Sequence, residues 1–184
     1  MRAEIESILR NKEINFFDLD ICARILLVTD GTVTELLEAL VREPVILGYR
    51  HQSVENQGKL TKSPCLHRTI TLQGELSGTH WIYAKSRIFL DQLSQRAQSM
   101  LIEKSIPIGT ILNTESADNH RQIIDCGFET DIHAAKLLGI TSNNPFIFRE
   151  YEIVFESRVL MAIKEWFPME RISNSVNLSN RFPF

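Results

Sequence analysis

The sequence predicts an α+β domain: an antiparallel sheet with helices on one face. Three patterns carry this. Helical periodicity is concentrated near the start and middle of the chain, at 18–41 and 91–104. Strand-like alternation recurs at 45–55, 65–73 and 80–89 without a helix between the runs. Two further strand-like runs, 146–155 and 158–168, are joined only by Glu156-Ser157, which makes a β-hairpin. Consecutive strands with segregated helices build an antiparallel sheet covered by a helical layer.

At 184 residues one domain is expected, with enough chain for a substantial core. Hydrophobic residues make up 43% and charged residues 23%, and the net charge is -3. That balance gives no basic excess, so nucleic acid is not an expected partner. Cys22, Cys65 and Cys126 are odd in number and widely spaced, and the five histidines form no ligand pair, so neither disulfides nor a metal site is predicted. The first residues are charged and lack a secretory apolar run, and no stretch approaches the ~20 apolar residues of a membrane span. A cytoplasmic protein is the expectation.

Residues 1–15 are polar and at most amphipathic. Residues 18–28 predict a helix with Asp18 as N-cap and Leu19, Ile21, Cys22, Ile25 and Leu26 on one side. Asp30-Gly31 break it. Thr32, with Glu35 three residues on, fits a capping box opening a second helix, and Pro44 closes that helix. Such a helix start presents unpaired N–H groups that favour an anion. Residues 56–64 predict a polar loop, Gly74–Thr79 a hairpin turn, and 91–104 a helix packed by Leu93, Ala97, Met100 and Leu101. Ile106-Pro107-Ile108-Gly109 is an apolar turn where the backbone can approach a ligand or simply pack. Residues 121–132 predict a strand interrupted by Asp125 and Gly127, followed by a short helix at 134–138. Residues 1–170 are taken as the domain and 171–184 as a loose polar tail.

Two charges break the alternation. In 158–168 the row Val159, Met161, Ile163, Glu165, Phe167 is apolar except for Glu165. In 65–72 the row Leu66, Arg68, Ile70, Leu72 is apolar except for Arg68. A charge on a core-facing row is costly unless paired or hydrogen-bonded. One reading is a structural ion pair, or a strand end open to water. The other is a closed pocket with an anion anchor and an acid/base group.

Five segments in order, Asp30–Glu38, Leu66–Leu72, Ala84–Ile88, Ile106–Leu112 and Ile163–Pro168, resemble the chorismate pyruvate-lyase superfamily across roughly residues 18–170. The likeness is greater to its cyanobacterial, plastid and archaeal branch than to the enterobacterial ubiquinone enzyme. It implies a six-stranded antiparallel sheet with an internal ligand pocket under helical flaps. It implies conversion of chorismate to 4-hydroxybenzoate and pyruvate with no metal, nucleotide or redox cofactor, for quinone biosynthesis. By this resemblance Arg68 binds the ring carboxylate and Glu165 lies at the other end of the ring. Ile108 and Gly109 belong to the flap that touches the ligand, and Val33 is a backbone contact to the ligand carboxylate. Lys85, Arg87 or neither answers to an arginine near a second, outer anion site. Glu165 would either donate a proton to the leaving ether oxygen or bond the ring hydroxyl.

The same fold forms the ligand-sensing domain of GntR-type regulators, but no room is seen ahead of residue 18 for a winged helix. The alternative is a non-catalytic binder of an amphiphilic anion such as an aromatic acid, an isoprenoid phosphate or a fatty acid. Phe146, Phe148, Phe155, Met161, Trp166 and Phe167 would then line a larger cavity, or serve as plain core.

Overall fold

The computed structural model describes residues 1–56, 64–103, 108, 119–141 and 144–177. Six strands form one antiparallel sheet: β1 (Val45–Asn56), β2 (Pro64–Gly74), β3 (His80–Phe89), β4 (His120–Glu129), β5 (Phe146–Phe155) and β6 (Arg158–Phe167), in the order β1-β2-β3-β6-β5-β4. The described helices are α1 (Arg2–Asn11), α2 (Ile21–Val28), α3 (Val33–Val41), α4 (Gln95–Glu103), α5 (Ile132–Leu138) and α6 (Met169–Asn177).

Alternation decides the two faces of the sheet. The inner face carries Leu66, Ile88, Met161, Ile163 and Ile153, which share one core with Leu26 and Leu27 of α2, Leu37 of α3, Leu101 of α4 and Ile172 of α6. The outer face carries Lys85, Arg87 and Lys164, and one end of it is covered. There Tyr83, Phe148 and Trp166 pack with Ala134, Ala135 and Leu138 of α5 in a second, smaller cluster.

The strands fall where alternation places them, and several helix details differ. The N-terminal residues form a true helix, because Ile5 and Leu9 lie one turn apart and are fully buried. α2 starts at Ile21, capped by Asp20, whose carboxylate accepts from the Cys22 N–H at 2.8 Å, while Phe16–Asp18 form a 3-10 turn. Thr32 is the N-cap of α3, but its hydroxyl makes no capping bond, so the capping box is not formed. Arg42, at φ 61°, ends α3 before Pro44 does. β4 stops at Glu129 because Asp131 caps α5, accepting from the Ala134 N–H at 2.8 Å. Residues 171–177, expected in a loose tail, continue α6, with Ile172 fully buried. The expected polar loop at 57–63 and the end of the chain from 178 lie outside the described residues.

The β5–β6 hairpin positions the site. Glu156 and Ser157 both adopt positive φ, 46° and 63°, the twist a two-residue hairpin turn needs. Phe155 lies opposite Arg158 and Val154 opposite Val159, and then the register shifts by one residue at Leu160. Without that bulge Arg149 would lie opposite Lys164, a like charge. With it, Arg149 lies opposite Glu165.

Candidate functional site

Arg68 and Glu165 both face inward and are nearly inaccessible, at 2% and 8% exposure. Arg68 on β2 is opposite Ser86 on β3, and Ser86 is opposite Ile163 on β6, two residues before Glu165. Strand spacing and rise therefore put the two Cα atoms about 12 Å apart. Both side chains leave the inner face of the sheet at that separation.

Glu165 does not stand in apolar surroundings alone, as the strand pattern suggested. Its Oε2 accepts from Arg149 Nε at 2.7 Å, and its Oε1 accepts from the Tyr151 hydroxyl at 3.2 Å. Arg149 is fully buried, and its Nη1 donates to the carbonyls of Leu26 and Thr29, both at 2.8 Å, at the end of α2. Burial alone works against charge on Arg149, but Glu165 above all holds its pKa raised. Burial, then the Glu165 charge, pushes the Tyr151 phenol well above its ordinary range. The ion-pair reading of Glu165 is thus realised, with Arg149 as partner.

Sequence reasoning missed Arg149 and Tyr151. The signal was present: Ile147, Arg149, Tyr151 and Ile153 form a core-facing row broken by one charge. Arg121 on β4 completes the cluster, its guanidinium 5.5 Å over the Tyr151 ring and 3.0 Å from Asp30 in the α2–α3 turn.

Among the described residues the buried inner charges are two arginines, Arg68 and Arg149, against one glutamate. Burial, followed by the like charge of Arg50, pushes the Arg68 pKa down. Val33 opens α3 and is buried in the inner core, next in the chain to the turn that Arg149 holds. Ile108 is helical and packs on the same core, whereas Pro107 and Gly109 lie outside the described residues.

Lys85 and Arg87 point to the opposite face. Lys85 pairs with Asp131 at 3.7 Å, and both cations line an open outer groove of about 320 Å³ with His67, Thr69, Lys164 and Trp166. Arg68 also borders this groove, whereas Glu165 does not. The six large side chains suggested as a cavity lining also divide: Phe146, Phe148 and Trp166 belong to the outer cluster, Met161, Phe167 and Phe155 to the inner core.

The profile of the Rv2949c-like chorismate pyruvate-lyases matches residues 27–174. The chain belongs to this family. Its relatives include a chorismate pyruvate-lyase of Mycobacterium leprae, 27% identical over 121 residues, 62% of this chain and 57% of that protein. The chain thus matches little more than half of that relative's length. The MJ0807 protein of Methanocaldococcus jannaschii, provisionally named a lyase, is 29% identical over 150 residues, 78% of this chain and 76% of its own. Among solved structures, the effector domain of PhnF from Mycobacterium smegmatis aligns with TM-score 0.56 at 13% identity, covering 77% of this chain and 90% of that one. At that identity the likeness concerns the fold alone. No described helix is long and apolar enough to cross a membrane.

Proposed function

We propose that this chain is a chorismate pyruvate-lyase that makes 4-hydroxybenzoate. The observation that carries the reading is the burial of Arg68 on β2 and Glu165 on β6, both facing inward from one sheet, in a member of this family. Arg68 holds the ring carboxylate through its planar fork. Glu165, fixed by Arg149 and Tyr151, accepts a hydrogen bond from the ring hydroxyl. Holding both ends aligns the breaking ether bond with the ring C–H beside it. The bond between the ring carbon and the ether oxygen breaks with its electron pair leaving on oxygen as pyruvate enolate, the ring carbon bearing the hydroxyl gives up its hydrogen as a proton, and the enolate takes up a proton to become pyruvate. Substrate atoms are all accounted for in the two products, and aromatisation drives the step. The site's task is orientation and charge balance.

The test is incubation of purified chain with chorismate, with chromatography for hydroxybenzoates and an independent pyruvate assay. Equal amounts of 4-hydroxybenzoate and pyruvate are expected, with turnover abolished in Glu165→Gln while product binding largely persists. No product from folded wild-type protein overturns the lyase reading. A second reading, binding of an aromatic acid without turnover, is favoured by the existing Arg149–Glu165 pair, which leaves Glu165 an acceptor. Tight 4-hydroxybenzoate binding with no chorismate consumption would support it.

A further inference from the structure

The two oxygens of Glu165 are held by different residues. An arginine facing a carboxylate ordinarily offers two parallel N–H groups. Arg149 offers Glu165 only Nε, at 2.7 Å. Its Nη1 is committed to the Leu26 and Thr29 carbonyls, and among the described residues its Nη2 has no partner. The second oxygen, Oε1, goes instead to the Tyr151 hydroxyl at 3.2 Å. The carboxylate is therefore turned off the arginine fork, and the group that turns it is a tyrosine. The Tyr151 side chain is itself fixed. It is 3% exposed, and guanidinium groups lie against its ring, Arg149 at 5.1 Å and Arg121 at 5.5 Å. Burial keeps the phenol protonated, so it remains a donor.

We propose that Tyr151 is a positioning residue that holds the Glu165 carboxylate off the Arg149 fork, and thereby sets selectivity for a para over a meta hydroxyl on the bound aromatic acid. This rests on Glu165 being the contact to the ring hydroxyl. Each carboxylate oxygen can accept two hydrogen bonds, so each keeps one site for a ligand after Arg149 and Tyr151 are served. The direction of the free site depends on the rotation of the carboxylate. Without the Tyr151 hydroxyl, Oε1 can swing onto Nη2 and close a two-point pair with Arg149. The pair gains a bond, and the acceptor aimed at the ring is lost. Arg68, two strands away, is untouched, so anchoring of the ring carboxylate persists.

A purely structural tyrosine predicts something different: affinity for every aromatic acid falls together. The measurement is calorimetric titration of the full chain with 4-hydroxybenzoate, 3-hydroxybenzoate and benzoate, with thermal melting in parallel. Four proteins are compared: wild type, Tyr151→Phe, Glu165→Gln and the double variant. Wild type is expected to prefer the para acid by about tenfold or more, as a site built to bond a hydroxyl does. Tyr151→Phe should cut that preference by about fivefold or more while benzoate affinity stays within about twofold. In the Glu165→Gln background the tyrosine substitution should leave the preference unchanged, because its effect runs through that carboxylate. An unchanged preference in folded Tyr151→Phe overturns the proposal and leaves the lyase reading standing. A parallel fall for all three acids, or an effect that survives in the double variant, also overturns it. Wild type that binds none of the three overturns the ligand role of Glu165 and this proposal with it.

Discussion

The two faces of the central sheet are built from alternate residues of the same strands, yet they treat charge in opposite ways. On the outer face Lys164 pairs with Glu129 at 2.9 Å and Lys85 with Asp131 at 3.7 Å, each within reach of water. Such pairs contribute little and cost little. On the inner face Arg68, Arg149 and Glu165 are shut away beneath the helices. Removing such groups from water costs several kcal/mol per ion before any pairing. A fold that needed only stability would place leucine or methionine there. The contrast is one of placement: charge on the outer face is ordinary surface, whereas charge on the inner face is shut away and must be held, as Arg149 holds Glu165.

Breaking one pair on each face tests this most strongly. Arg149→Met leaves Glu165 buried without its counterion and should destabilise the chain by about 3–5 kcal/mol. Lys164→Met should cost less than about 1 kcal/mol. Urea unfolding of both variants gives the difference, and equal costs would erase the distinction between the faces.

The comparison sharpens at Arg68. Arg68→Met should leave a folded ligand-free protein, destabilised less than by Arg149→Met. Affinity for an aromatic carboxylate should fall by about 2–4 kcal/mol, roughly 30- to 1,000-fold. A melt with and without 4-hydroxybenzoate reads both effects, and large destabilisation with intact affinity would make Arg68 structural.

Inner-face burial also shapes the alkaline limit. Burial, then the nearby Asp125, pushes the Cys126 thiol from 9.0 up to about 11, and Tyr151 shifts in the same direction. Both groups have folded values above their unfolded ones, so the unfolded chain loses its protons first. Stability is full below about pH 9 and declines as pH rises toward 11, by about 2–3 kcal/mol from Cys126. Denaturation at pH 8 through 11, repeated with Cys126→Ala, should show a shallower decline in the variant. The smallest effects belong outside: Lys85→Ala and Arg87→Ala should change 4-hydroxybenzoate affinity by less than about twofold.

Much of this was legible in the sequence, for a physical reason. Strand alternation has a period of two, so a single charge on an apolar row is conspicuous, and Arg68 and Glu165 declared themselves that way. The hairpin at Glu156-Ser157 was equally plain. The partner of Glu165 was not, because the bulge at Leu160 changes which residues face each other, and no local pattern announces a bulge. Arg149 carried the same signal, one charge on the row Ile147, Arg149, Tyr151, Ile153, but the neighbouring row of β5 also holds charges, Glu150 and Glu152, which blurred the two faces. The N-terminal helix was obscured because Ile5 and Leu9 stand among charges whose solvent exposure the sequence does not state. Lys85 and Arg87 needed the register of β3 to be assigned to the outer face.

The most direct test of the central claim is a crystal structure of the chain with 4-hydroxybenzoate. The account predicts the ligand on the inner face, its carboxylate on the Arg68 guanidinium and its hydroxyl on Glu165, with Arg149 and Tyr151 still holding that carboxylate. A ligand bound instead in the outer groove beside Lys85 and Arg87, with Arg68 and Glu165 untouched, would contradict it.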